Sequence, residues 1–140
     1  MWRGAIVDDL AYWRERVPVW FTTLSIKLDS FENYSQFETG LCHGASYSFT
    51  LGDMRIRNSP VSGLQHLARL RMKMRDRLGK IYIFTALDVE EVESAYADCG
   101  VDERFIYLSK SDNIVKIMDV IKHSIMNNCQ GLPPSVCSSR

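Results

Sequence analysis

Four short apolar runs in this chain each end in a residue able to do polar chemistry. AIV at 5–7 leads into Asp8 and Asp9, and YSFTL at 47–51 leads through Gly52 into Asp53. IYIF at 81–84 is followed by Thr85, and FIYL at 105–108 by Ser109 and Lys110. Carboxylates brought close together oppose one another's ionisation, so a cluster of three needs a cation. Mg2+ suits such a set, because it prefers oxygen ligands and commonly combines a few carboxylates with water and phosphate oxygens. Asp53 is then a competent nucleophile, able to form an acyl phosphate. Lys110 offers a positive charge to a phosphoryl oxygen, and Thr85 a hydroxyl donor. Each residue has an ordinary reading too. Asp8 and Asp9 could sit at the start of the next helix, where negative charge is favourable. Thr85 and Lys110 could be plain surface residues. The joint pattern carries the argument, because all of the strand ends would have to mislead together.

That chemistry requires the runs to be strands of one parallel sheet, and the intervening segments fit. Residues 10–24 carry Leu10, Trp13, Val17, Trp20 and Phe21 at helical spacing, although Pro18 should kink or split that helix. A short strand is expected at 25–28 and a polar helix near 32–41. Residues 64–78 carry Leu64, Leu67, Leu70, Met74 and Leu78 on one stripe, with Gly79 as the stop. Helices are also expected at 89–97, ended by Gly100, and at 114–126, capped by Asp112. The continuous apolar run at 81–84 reads as a strand covered on both faces. Five strands alternating with five helices imply an α/β fold, a five-stranded parallel sheet with helices on both faces. Ligands of such sheets bind at the carboxyl ends of the strands. Residues 1–126 form one domain in this reading, and 127–140, rich in Pro, Ser and Cys, a flexible C-terminal tail.

Composition narrows the function classes. Lys plus Arg equals Asp plus Glu at 17 each, so the chain is formally neutral and direct nucleic-acid binding is not expected. Residues 69–80 are nevertheless strongly basic, which reads as a solvated helix face or, more sharply, as a docking surface. Cys42, Cys99, Cys129 and Cys137 form no CxxC pair, and the adjacent Cys42 and His43 make no zinc site alone. No signal peptide or membrane-length apolar stretch is present, so a cytoplasmic protein with reduced thiols is expected. No GxGxxG or GxxxxGK[ST] motif follows the first strand, which disfavours a nucleotide-binding fold.

AIVDD at 5–9, TLGDM at 50–54, FTA at 84–86 and YLSK at 107–110 resemble, in order and spacing, the response-regulator receiver domains of two-component signal transduction. The resemblance spans about residues 3–126. It implies a flavodoxin-like strand order, 2-1-3-4-5, and Asp53 as the phosphoacceptor. It also implies that Asp9, Asp53 and the backbone carbonyl of Arg55 bind Mg2+ directly, with Asp8 acting through water. Lys110 would contact the phosphoryl group, Thr85 would move to hydrogen-bond it, and Tyr107 would be the switch aromatic. Ala86, small and next to Thr85, fits the need for access. Two features depart from the family pattern. DMRIRNSPVSG is a longer segment after the acceptor, with Pro60 and Gly63, and Ser111 stands where the family commonly has a cis proline. A cis bond to a residue other than proline costs ~2.5–4 kcal/mol.

The expected function is that of a single-domain response regulator. It would receive a phosphoryl group on Asp53 from a histidine kinase or phosphotransfer protein, with limited self-catalysed phosphorylation and dephosphorylation rather than conventional enzyme turnover. It would signal by docking on a downstream protein partner, by homodimerising, or by passing the group onward. One alternative is a receiver-like protein-interaction module without phosphorylation. Another is an Asp-nucleophile phosphatase, a class that usually has a second acid two residues after the nucleophile, where this chain has Arg55.

Overall fold

The computed structural model describes residues 2–56 and 62–130, the last five as helix backbone. The order is β1 (Trp2–Val7), α1 (Ala11–Thr22), β2 (Ile26–Phe31), α2 (Tyr34–Cys42), β3 (Phe49–Gly52), α3 (Gly63–Met74), a 3-10 turn (Arg75–Leu78), β4 (Lys80–Thr85), α4 (Val89–Cys99), β5 (Ile106–Ser109) and α5 (Ile114–Gln130). All strand pairs are parallel and the sheet order is β2-β1-β3-β4-β5. This is the expected 2-1-3-4-5 arrangement.

Side-chain alternation splits the core into two layers. Ile81 and Ile83 of β4 face a cluster with Tyr34, Phe37, Leu64, Leu67 and Val92, which come from α2, α3 and α4. Tyr82 and Phe84 face the opposite cluster, with Val17, Phe21, Ile117 and Ile121 from α1 and α5. Both faces of the central strands are thus dry, which is why the run at 81–84 is continuously apolar. Among the described residues, no helix is long and apolar enough to cross a membrane.

The register aligns the strand ends. Val7 is opposite Gly52, Gly52 opposite Ile83, and Thr85 opposite Ser109. The residue after each strand therefore emerges beside its neighbour. Asp53 N–H donates to Val7 O at 3.0 Å, and Lys110 N–H to Thr85 O at 2.8 Å.

Several local expectations are corrected. α1 runs unbroken through Pro18. Proline leaves the carbonyl of Arg14 without its helical donor, and the Ser30 hydroxyl of β2 donates to that oxygen at 3.1 Å. β2 is longer than the apolar signal suggested, because it pairs only with β1 and its polar residues are used at the edge. Asp29, for example, accepts hydrogen bonds from Arg3 and from the Tyr47 hydroxyl. The stripe at 64–78 is not one helix: Arg75 takes a positive φ of 55° and the chain tightens into a 3-10 turn that still buries Leu78. Asn113, not Asp112, caps α5, accepting from Lys116 N–H at 2.9 Å, while Asp112 pairs with the Lys116 ammonium. α5 continues four residues past the expected boundary at 126, to Gln130. Pro60 and residues 131–140 lie outside the described residues.

The basic run at 69–80 is largely consumed by the fold. The Arg71 guanidinium donates to the carbonyls of Arg75 and Gly79, and that of Arg77 to Leu41 and Ala45. Arg69 and Lys73 both pair with Glu38 of α2, at 2.9 and 2.7 Å. These two cations hold Glu38 down at about 2. A carboxyl depressed in the folded state stabilises above its unfolded pKa, near 4.5, and loses that contribution as pH falls through its folded one. Acid unfolding followed by circular dichroism checks this. The wild-type melting temperature should fall more steeply between pH 4.5 and 2 than that of Glu38→Gln.

Candidate functional site

The aligned strand ends create an acidic pocket at the carboxyl edge of β1, β3 and β5. Asp8, Asp9 and Asp53 each offer a carboxylate oxygen, all within 4.8 Å of one another. Asp8 and Asp53 are buried, and Asp9 is half-buried. The Lys110 side chain, 6% exposed, reaches in from the end of β5. Its Nζ lies 2.7 Å from Asp8 Oδ2 and 3.6 Å from Asp53 Oδ2. Asp8 Oδ1 also accepts from Leu10 N–H at 3.0 Å, so its carboxylate is held at both oxygens. The sequence-predicted acids and Lys110 are therefore brought together.

Thr85 closes the next strand end. Its hydroxyl is buried and accepts from Leu87 N–H at 3.1 Å. The Leu87 carbonyl in turn accepts from the Tyr107 hydroxyl at 2.8 Å. Thr85 and Tyr107 are thus joined through one residue. Arg55 is exposed, and its backbone N–H donates to Asp53 Oδ1 at 3.4 Å. Ala86 is exposed, leaving the edge beside Thr85 open. The Lys110–Ser111 peptide is trans, in keeping with the missing proline.

No family model and no curated protein matches the chain in sequence. Solved structures do match. The CheY-like response regulator receiver domain of Methanospirillum hungatei aligns with a TM-score of 0.75 at 16% identity, over 94% of this chain and 99% of that one. The response regulator TrrA of Thermotoga maritima, solved in complex with Mg2+ and BeF, aligns with a TM-score of 0.70 at 24% identity, over 88% and 98%. The BeF3-activated DrrB receiver domain aligns with a TM-score of 0.69 at 19% identity, over 91% and 98%. This chain has the receiver-domain fold.

Within that fold, two glycines let β3 and Asp53 lie where they do. A Cβ on Gly52 would meet the Tyr34 hydroxyl at 2.7 Å and Leu67 at 2.8 Å. A Cβ on Gly63 would fall 2.1 Å from the backbone oxygen of Asp53. Gly63 N–H donates to Met54 O at 2.9 Å, so the start of α3 closes directly over the backbone at Asp53 and Met54. The Ser62–Gln65 capping box fixes that helix start. Tyr34, fully buried, donates its hydroxyl to Asp53 O at 2.8 Å. No local pattern in its polar helix signals that role. Trp13 and Phe84, whose rings flank the Lys110 ammonium at 5.3 and 5.5 Å, carry only an apolar signal in the sequence. Trp13 lies one helical turn after Asp9, and that spacing was the available clue.

The electrostatics of the receiver pocket are unbalanced. Burial pushes the Asp53 carboxyl up to about 6; the nearby Asp8 and Asp9 charges add to this, and Lys110 opposes it. Burial raises Asp8 as well, against the hydrogen bond and charge of Lys110. The three carboxylates lie close enough to share one hard cation, and the all-oxygen donor set fits Mg2+. An acid raised in the folded state costs stability once ionised. For Asp53 the penalty is absent below about 3.8, grows as pH rises towards 6, and at neutral pH amounts to up to about 3 kcal/mol. Asp53→Asn should therefore melt several degrees above the metal-free wild type at pH 7, and the gap should close below pH 4. Millimolar Mg2+ should raise the wild-type midpoint and leave the variant's nearly unchanged. Differential scanning fluorimetry reads both.

Proposed function

We propose that this chain is a response-regulator receiver domain that takes a phosphoryl group on Asp53. The observation that carries this reading is the convergence of Asp8, Asp9, Asp53 and Lys110 in one largely buried pocket. It is supported by structural neighbours solved with beryllofluoride, and by TrrA solved in complex with the histidine kinase ThkA, which aligns at 22% identity.

Asp9, Asp53 and the Arg55 carbonyl would hold Mg2+ directly, and Asp8 through water. Bound there, the ion neutralises acid charge and phosphoryl oxygens in the same place. Asp53 attacks the phosphorus of a phosphohistidine or small donor. A P–O bond forms to the carboxylate while the bond to the leaving group breaks, and the leaving group keeps the electron pair. Lys110, already 3.6 Å from Asp53 Oδ2, shifts its charge from Asp8 towards the new phosphoryl oxygens. Thr85 turns its hydroxyl to the phosphoryl group. That movement loosens the Leu87 N–H bond and, through the Leu87 carbonyl, the hold on Tyr107. Signalling results from the reshaped surface around β4, α4 and β5, either on a downstream protein partner or on a second copy. Self-catalysed loss of the group resets the switch.

Position 55 argues against the phosphatase alternative, because it carries an exposed Arg55 in place of a second acid.

Incubation with acetyl phosphate or phosphoramidate and Mg2+ should add the mass of one phosphoryl group, removable by hydroxylamine. Asp53→Asn and chelation by EDTA should each abolish the gain. Thr85→Ala should still be phosphorylated but should lose the accompanying NMR shift changes at Leu87 and Tyr107. A wild type that never gains mass while binding a protein partner would favour the interaction-module reading.

A further inference from the structure

The Lys110 ammonium has carboxylates on one side and two aromatic rings on the other. Asp8 and Asp53 hold it at 2.7 and 3.6 Å. The Trp13 ring centroid lies 5.3 Å from Nζ and that of Phe84 lies 5.5 Å away. The two rings meet edge to face, 5.3 Å apart at 84°. The electron-rich face of an aromatic ring attracts a cation, most strongly for tryptophan and where water is excluded. Lysine most needs such a wall, because its stem is flexible and its ammonium presents no fixed fork.

Trp13 is itself braced. Its ring meets Trp20 at 6.3 Å and 83° and Tyr12 at 4.8 Å and 79°. The Arg16 guanidinium stacks over Tyr12 at 3.8 Å. Phe84 comes from β4, immediately before Thr85, so the wall joins the helix after the acidic pair to the strand that ends in the hydroxyl.

We infer that Trp13 is a positioning residue for the phosphoryl transfer. Its ring confines the Lys110 ammonium to an arc that runs from Asp8 to Asp53 and the incoming phosphoryl oxygens. The role rests on the reading of Asp53 as phosphoacceptor, but the confinement of Lys110 does not, and the two can be tested separately.

The confinement is read by acylation. The full chain is treated with sulfo-NHS-acetate and modification of Lys110 is monitored by mass spectrometry, normalised to Lys116 and Lys122, which are exposed. Lys110 should be protected in the wild type and in Trp13→Phe, which keeps an aromatic face. In Trp13→Met, which fills space without one, it should be about ten-fold more reactive. Trp13→Leu takes the place of Trp13→Met if the latter does not fold. Unchanged protection in a folded variant overturns the proposal, whatever the phosphorylation result. The role in transfer is read by a cycle with acetyl phosphate and Mg2+. Trp13→Met should slow phosphorylation about ten-fold in the wild-type background and not at all in Lys110→Met, while Mg2+ affinity stays within about two-fold. Equal slowing in both backgrounds would mean a structural role only and would overturn the positioning claim. If acylation behaves as expected but no variant, wild type included, gains a phosphoryl group, the reading of Asp53 fails and the confinement stands.

Discussion

The structure turns on crowded negative charge. Two buried carboxylates, Asp8 and Asp53, hold the Lys110 ammonium, and the half-buried Asp9 offers a third carboxylate beside them. Burial and mutual repulsion raise Asp53 and burial raises Asp8, so the pocket is destabilised by its own chemistry. Everything around it exists to hold that arrangement. The parallel register fixes Asp8 beside Asp53, the Tyr34 hydroxyl holds the carbonyl of Asp53 and Gly63 N–H that of Met54, and Trp13 and Phe84 back the lysine. The apolar layers on both faces of the sheet supply the stability that the pocket lowers. A divalent cation is the kind of ligand that would relieve it, by neutralising acid charge.

The same geometry links the pocket to a surface. Thr85 and Tyr107 lie on adjacent strands and meet through the two backbone groups of Leu87. In the proposed function, a Thr85 hydroxyl that left Leu87 N–H for a phosphoryl oxygen would release one end of a short relay whose other end is a half-buried ring. The capping box of Asp88 and Glu91 holds the start of α4 next to that relay, so the segment between strand and helix is short and constrained at both ends. Such a segment favours two discrete arrangements over a continuum.

Much of this was legible in the sequence because it depends on periodicity and on the polar residues at the strand ends. The parallel sheet, the two-faced burial of β4 and the meeting of Asp8, Asp9, Asp53 and Lys110 follow from alternation and from acids and an ammonium placed where apolar runs stop, and the strand order followed from the family resemblance. Misreadings arose where tertiary contacts override local propensity. Pro18 stays helical because Ser30, from a neighbouring strand, donates to the carbonyl that proline orphans. The helix that starts at Gly63 breaks at Arg75, whose positive φ no pattern announced. The basic run at 69–80 read as a solvated helix face or a docking surface, yet Arg71 and Arg77 bond backbone carbonyls and Arg69 and Lys73 pair with Glu38. Tyr34 was illegible as a site residue because its role rests on a single hydrogen bond to a group distant in the chain, and Trp13 carried only its spacing from Asp9 as a clue.

The central claim is that these distant residues form one cation-binding centre beside Asp53. Titration of the 15N-labelled chain with Mn2+, a paramagnetic stand-in for Mg2+, tests it most directly through the loss of amide NMR signals. Signals of residues 8–10, 53–56, 85–87 and 110 should broaden first and together, and excess Mg2+ should restore them. Broadening centred elsewhere, for instance on Glu90, Glu91 and Glu93 of α4, with the strand-end signals intact, would contradict the account.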